Sequence, residues 1–197
     1  MDDIYIYGAS GHGKVVLDIA VRLGFNILGF IDDNPLLEFF ESYKVFKTLP
    51  KGSKYVIAIG DNTIREKIAS QSLNNIIEAL VHDTAVIALN VNLGTGTIVA
   101  ASAVVNPSST IKGNSIINTG AIVEHDCFIE DFVHISPNAT ICGGVTVGKG
   151  THIGVGAVVI PGVKIGDRCI IGAGTVVLKD VPNGVTMVGN PGRIIKK

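Results

Sequence analysis

The 197-residue chain contains no tryptophan, only 6% aromatic residues, two methionines and three cysteines, and only 17% of its residues are charged. So few large rings exclude a core packed around aromatics and suit a thin core of branched aliphatics. The formal net charge of −1 leaves no broad basic field of the kind a nucleic-acid binder uses. Cys127, Cys142 and Cys169 are odd in number and lack C-x-x-C spacing, so neither a disulfide framework nor a zinc knuckle is expected. No apolar run approaches eighteen residues, and the opening MDDIYIYG begins acidic rather than basic. The expectation is a soluble, cytoplasmic protein acting on neither nucleic acid nor membrane.

Glycine is abundant, at 24 residues, and much of it falls in a strict pattern. Val91 to Asp180 divides into fifteen hexads without an insertion or deletion: VNLGTG, TIVAAS, AVVNPS, STIKGN, SIINTG, AIVEHD, CFIEDF, VHISPN, ATICGG, VTVGKG, THIGVG, AVVIPG, VKIGDR, CIIGAG, TVVLKD. The third place is always Leu, Ile or Val, and the first is always Val, Thr, Ala, Ser or Cys. A period of six suits neither an amphipathic helix nor one long strand. It suits a solenoid of short strands whose third-place side chains share one core. Gly94, Gly148, Gly154, Gly166 and Gly172 follow the aliphatic place, where unusual backbone angles at a corner are expected. ALVHDT and AVIALN keep the beat before Val91, so the solenoid starts near Ala79.

This regularity resembles the hexapeptide-repeat acyltransferases. The resemblance implies a left-handed parallel β-helix with three hexads per coil, each residue lying above the one eighteen places earlier. Nearly six coils would then stack at roughly 4.8 Å each.

Ahead of the solenoid, DIYIY reads as a strand, GASGHGK as a glycine-rich turn and Val15 to Leu23 as a helix. Such a turn can present backbone N–H groups and a helix dipole to a phosphate, although G-x-x-G-x-G departs from the usual dinucleotide spacing. ILGFIDDN is a second strand ending in Asp32 and Asp33, which either accept hydrogen bonds from a ribose or base or form a turn. YVIAIGDN is a third strand, with Gly60 at its carboxyl end, and TIREKIASQ a helix capped by Asn62 or Thr63. Three βα-type units are expected in residues 1–78, a Rossmann-like α/β domain. The all-β left-handed β-helix then occupies 79–181, and a C-terminal extension, 182–197, packs back along it. The last two lysines read as a solvated tail.

Of five histidines, His125 stands between Glu124 and Asp126, where a carboxylate could fix its tautomer and support proton transfer. It could equally be an inert corner residue. The eighteen-residue offset puts Gly143 above it, with a backbone N–H placed to stabilise an oxyanion. His134 and His152 form another pair eighteen apart, as do Val155 and Ala173.

YIYGASGHGK, FIDDN, AIGDNTIREKI, the His125 segment and GNPGR together resemble the sialic acid O-acetyltransferase-like family of sugar acyltransferases, over the whole chain. Within that family the likeness is to members that N-acetylate UDP-linked 4-amino sugars of the bacillosamine pathway. The resemblance implies an acetyl-CoA-dependent N-acetyltransferase, a homotrimer with sites between subunits, acting on a UDP-linked 4-amino-4,6-dideoxyhexose without a metal. It makes His125 the general base, with Asp126 in place of a more usual Glu and Glu124 a competitor. Gly143 becomes the oxyanion donor and Asn118 helps to orient the acceptor. It sets His134, Val155 and Ala173 along acetyl-CoA, and Ser10, Gly11, His12, Asp32, Asp33 and Gly60 around the nucleotide. His82 and His152 are left as structural. The rivals are sialic-acid-type O-acetylation on the same scaffold, a non-catalytic nucleotide-sugar-binding scaffold, and a zinc enzyme of the γ-carbonic anhydrase type. The last wants a histidine pair five residues apart, which this sequence lacks.

Overall fold

A computed structural model describes residues 2–71 and 75–196; an α/β domain leads into a three-sided parallel β-helix. The front domain comprises β1 (Asp3–Tyr7), α1 (Gly11–Arg22), β2 (Asn26–Ile31), β3 (Phe39–Phe40), β4 (Tyr43–Phe46), β5 (Tyr55–Ile57) and α2 (Asn62–Ser70). Its sheet runs in the order β3-β4-β2-β1-β5, with β4, β2, β1 and β5 parallel and β3 antiparallel to β4.

Three βα-type units were expected, but helices follow only β1 and β5, whereas β2 is followed by a hairpin. Rings drive that difference: Phe40 and Tyr43 pack on Phe30 at centroid distances of 5.0 and 6.1 Å. Glu41 and Ser42 make the hairpin turn with φ of 47° and 69°, the left-handed pair that a two-residue turn demands. Helix α1 begins at Gly11, inside the glycine-rich turn rather than at Val15. The cap of α2 is Asp61, not Asn62 or Thr63, because its carboxylate accepts the Ile64 N–H at 2.8 Å.

Two-residue rungs build the prism. Its first face carries Leu80–Val81, Ile98–Val99, Ile116–Ile117, His134–Ile135, His152–Ile153 and Ile170–Ile171. The second face runs from Val86–Ile87 to Val176–Val177, and the third from Asn92–Leu93 to Lys164–Ile165. Rungs pair in parallel at an offset of eighteen, as in Ile116↔His134, Ile122↔Thr140 and Phe128↔Thr146. From Val99 to Val177 no third-place side chain is more than 2% exposed. Each buried Ile or Val contributes on the order of 1.5–3 kcal/mol, an upper estimate. First-place residues fill the corners from inside. The hydroxyls of Thr97, Ser109, Ser115 and Thr151 bond to backbone: Ser109 donates to Glu124 O at 2.7 Å and accepts from Cys127 N at 3.1 Å.

The corner geometry corrects one expectation. Positive φ falls on the sixth place of the hexad, from Gly96 at 71° through Asp126 at 59° to Gly174 at 65°, and not on the fourth-place glycines. The fourth-place glycines answer to another constraint, which is that the next coil lies close on them. A Cβ at Gly94 would meet Gly113 N at 2.5 Å, and one at Gly154 would meet Ala173 N at 2.6 Å.

Beyond Asp180 the beat shortens by two residues. Val181 bridges to Ile165, and Thr186–Val188 adds a rung beside Ile170–Ile171, with Val181, Val185 and Met187 in the core. The coil therefore runs on to Val188. Arg193–Lys196 then reverses and pairs antiparallel with that rung, so Lys196 lies in a strand; the tail reading of Lys197 falls outside the described residues. Among the described residues, no helix is long and apolar enough to cross a membrane.

Candidate functional site

His125 stands on the edge between the second and third faces, in the turn joining Ile122–Val123 to Phe128–Ile129. Its side chain is 63% exposed, and Nδ1 lies 2.8 Å from Asp126 Oδ2. The shorter carboxylate thus reaches the imidazole, because the left-handed φ of Asp126 turns its side chain back toward the preceding residue. Glu124 is occupied elsewhere, its Oε2 accepting from Asn106 Nδ2 at 2.9 Å one coil below. With Nδ1–H directed at Asp126, Nε2 is left with a lone pair to accept a proton. Gly143 lies directly over the ring: a Cβ there would come within 2.6 Å of His125 Nε2 and Cε1. The imidazole can occupy that spot only because residue 143 has no side chain.

Asn118, Val155 and Ala173 line a different edge, between the first and second faces. Val155 is 51% exposed, an apolar side chain standing on the corner. His134 points outward from the first face but is 9% exposed, because the front domain covers it. Its Nδ1–H faces Gly60 O at 3.2 Å, and its Nε2 accepts from Asn118 Nδ2 at 3.0 Å. One chain therefore brings His134, Asn118 and Gly60 together and holds His125, Asp126 and Gly143 together, but places these two groups on separate edges.

In the front domain, Ser10, Asp32 and Asp33 line a pocket of about 380 Å³ with Tyr7, Gly8 and Lys67. Asp32 accepts from Ala9 N at 2.9 Å and Asn34 N at 3.0 Å, so it braces the glycine-rich turn and shapes its own turn at once. Gly8 has φ of 116°, and a Cβ at Gly13 would strike Gly8 O; a Cβ at Gly11 would meet nothing within 4 Å. Two glycines thus answer to the protein's own packing, and Gly11 leaves the helix start open to solvent. Ser10 caps α1 through its backbone, with no side-chain hydrogen bond to the first turn. The unpaired N–H groups there suit an anion. Burial raises the Tyr7 phenol, with Asp33 and Asp32 adding to the effect.

His12 leaves this loop and turns toward the prism, its ring 6.4 Å from that of His134, which is 4.8 Å from that of His152. Burial drives His12 down to about 4 and His134 to about 3, and Arg65 pushes both the same way. His152 is lowered by burial and then by Arg65, and its Nε2 lies 2.9 Å from Ser136 Oγ. All three rings are therefore neutral at physiological pH. His82 is buried beneath α1, and its Nδ1 accepts from Thr84 N at 3.0 Å, a structural role.

Arg65, which sequence reasoning passed over, is the most buried charged group described, at 1% exposure. Its position in NTIREKI looks like the solvated side of a helix. The one available signal was its spacing, one turn after Asn62 on the same helix face.

A solenoid of hexapeptide coils carrying an exposed histidine–carboxylate pair, joined to an α/β domain with an anion-ready helix start, defines a two-domain transferase of the hexapeptide-repeat class. The PglD N-terminal domain family matches residues 3–72, and the bacterial transferase hexapeptide family, six repeats, matches residues 144–179. The acetyltransferase domain of PglB from Neisseria gonorrhoeae is 33% identical, covering 99% of this chain and 100% of that one at a TM-score of 0.93. A histidine variant of perosamine N-acetyltransferase from Caulobacter crescentus, solved with CoA and GDP-perosamine, is 34% identical, covering 100% and 98% at 0.94. WeeI from Acinetobacter baumannii is 30% identical, covering 99% and 100% at 0.88. The chain belongs to the sugar acyltransferase family of hexapeptide-repeat proteins, and its β-helix is left-handed as in that family. Among curated proteins it also matches the uncharacterized protein L142 of Acanthamoeba polyphaga mimivirus, 36% identical over 78 residues, spanning 16% of that protein's length.

Proposed function

We propose that this protein is a cytoplasmic acetyl-CoA-dependent N-acetyltransferase that acetylates the amino group of a nucleotide-linked amino sugar, a UDP-linked 4-amino-4,6-dideoxyhexose. The observation that carries this reading is His125, bonded through Nδ1 to Asp126 at 2.8 Å and seated over Gly143. Nε2 takes the proton from the sugar amine as its nitrogen attacks the thioester carbon. The Gly143 N–H, which among the described residues donates to no acceptor, faces the developing oxyanion. The tetrahedral intermediate collapses with C–S cleavage, and the imidazolium returns the proton to the departing CoA sulfur.

The acceptor's diphosphate rests at the start of α1, between Ser10, Gly11 and His12, with its ribose and base toward Asp32, Asp33 and Gly60. Acetyl-CoA lies along the first–second edge, where Val155 and Ala173 stand above Asn118 and beside His134. Because His125 is on another edge, the site is completed when a second copy brings its second–third edge against that groove; three copies around one axis close the arrangement. Proximity and orientation between copies then supply much of the rate.

A GDP-linked acceptor is the specific second reading, since perosamine N-acetyltransferase is solved with GDP-perosamine. The test is a panel of UDP- and GDP-linked amino and hydroxy sugars incubated with acetyl-CoA and read by mass spectrometry. A single added acetyl group on a UDP-amino sugar is expected. Acetylation of hydroxy sugars alone would make the protein an O-acetyltransferase, and binding without product would make it a non-catalytic nucleotide-sugar scaffold.

A further inference from the structure

Helix α2 does more than flank the nucleotide pocket, because one of its faces is bonded to the prism at successive coils. Asn62, Arg65 and Glu66 are spaced i, i+3, i+4 and share that face. The residues they meet, Asn114, Phe132, Gly150 and Arg168, are eighteen apart and form the sixth-place column of the third–first edge. All four have positive φ, from 52° to 67°.

Arg65 Nε donates to Asn114 O at 2.7 Å, and Nη2 to Phe132 O at 2.9 Å. Asn62 Nδ2 donates to Gly150 O at 3.0 Å and Thr151 O at 3.1 Å. Glu66 pairs with Lys149 at 2.8 Å and with Arg168 at 2.9 Å. On its other side the Arg65 guanidinium holds the pocket loop, Nη1 donating to Ile59 O at 2.8 Å and Gly60 O at 3.2 Å, and Nη2 to Asn62 Oδ1 at 2.7 Å. Among the described residues, no carboxylate is one of its hydrogen-bond partners. A desolvated cation without a bonded counter-ion is held only by satisfying its donors, and a planar fork reaches oxygens in several directions where an ammonium does not.

We propose that Arg65 is a positioning residue for the transfer reaction. With Asn62 and Glu66 it locks α2 to one height on the prism, and through the Ile59 and Gly60 carbonyls it sets where the nucleotide pocket presents the sugar amine. The inference rests on the acetyl-transfer reading above. It differs from a plain folding role in its kinetic signature, since both substrates still bind while the amine arrives misaligned.

The experiment uses the full chain with Arg65→Lys and Asn62→Ala, and measures kcat and KM for both substrates together with CoA and nucleotide-sugar binding by calorimetry. Arg65→Lys should lower kcat on the order of 10–100-fold, the scale of a misplacement near 1 Å, with both KM values within about threefold. Asn62→Ala, which leaves the guanidinium in place, should show the same split with a loss of roughly 3–10-fold, and it decides the matter if the lysine variant does not fold. Unchanged kcat, or nucleotide-sugar affinity falling in step with kcat, would overturn the proposal. A wild-type protein that acetylates no nucleotide amino sugar sinks the functional reading and this inference with it. Wild-type activity with unaltered turnover in both variants sinks the inference alone.

Discussion

The prism and the front domain place functional groups by opposite means. In the prism every coil repeats the one below, so a side chain's position follows from its number: His125 faces Gly143 because they are eighteen apart. In the front domain positions depend on single devices, such as the Asp32 carboxylate on Ala9 N and the Asp61 carboxylate on Ile64 N. The buried surfaces differ as well. The prism's third-place column is wholly aliphatic, whereas the seam between the two regions holds a guanidinium and three histidines with lowered pKa. The repeat admits small hydroxyls at its corners, where backbone satisfies them, while a seam formed once can accommodate a custom charged and imidazole network.

If the prism's register creates the catalytic corner, His125→Ala should lower turnover on the order of 100- to 10,000-fold with the melting temperature unchanged, as the ring is exposed. Wild-type rates at saturating substrate would remove His125 from the reaction. Gly143→Ala tests the register itself: the new methyl would displace the imidazole, lowering kcat roughly 10–100-fold, and a crystal structure should show His125 swung off the corner.

The seam should reveal itself through pH. His12 and His134 stay neutral when folded down to about 4 and about 3, whereas in the unfolded chain they protonate near 6.5. Their contribution is therefore fully present above pH 6.5 and is lost as the pH falls below it. The expected slope is about 1.4 kcal/mol per pH unit for each histidine, with His12→Gln flattening it in denaturant titrations between pH 6.5 and 4.5. A slope unaffected by the substitution would mean that the seam is already hydrated.

The smallest effects separate two kinds of glycine. Gly154→Ala sets a Cβ against the next coil and should destabilise the prism by about 1–3 kcal/mol. Gly156→Ala has open space around it and only a φ of 63° to resist, costing about 1 kcal/mol. Equal losses in thermal unfolding would erase the distinction between crowding and backbone angle.

The third-place aliphatics were readable in one dimension because all of them enter a common column. The αL corners were readable too, since the sixth place is rich in Gly, Asn, Asp and Ser, yet the fourth-place glycines drew the eye and their crowding looked like conformational need. The choice between Asp126 and Glu124 could not be made from adjacency, because both flank the histidine. It follows from the side chain's direction out of a left-handed corner and from the Asn106 bond that engages Glu124. The hairpin after β2 was missed because its strands are two and four residues long, too short to show alternation.

The sequence by itself determined the six-residue repeat. The resemblance to the hexapeptide-repeat family added three hexads per coil, hence the eighteen-residue offset and the His125–Gly143 contact, for in a solenoid each residue meets the same neighbour in every coil and local period becomes spatial order. Only the tertiary structure decided what the first face and the third–first edge would meet. The burial of Arg65 and the neutrality of His12, His134 and His152 all arise from one docking of unlike surfaces. Such a contact occurs once and leaves no period in the chain.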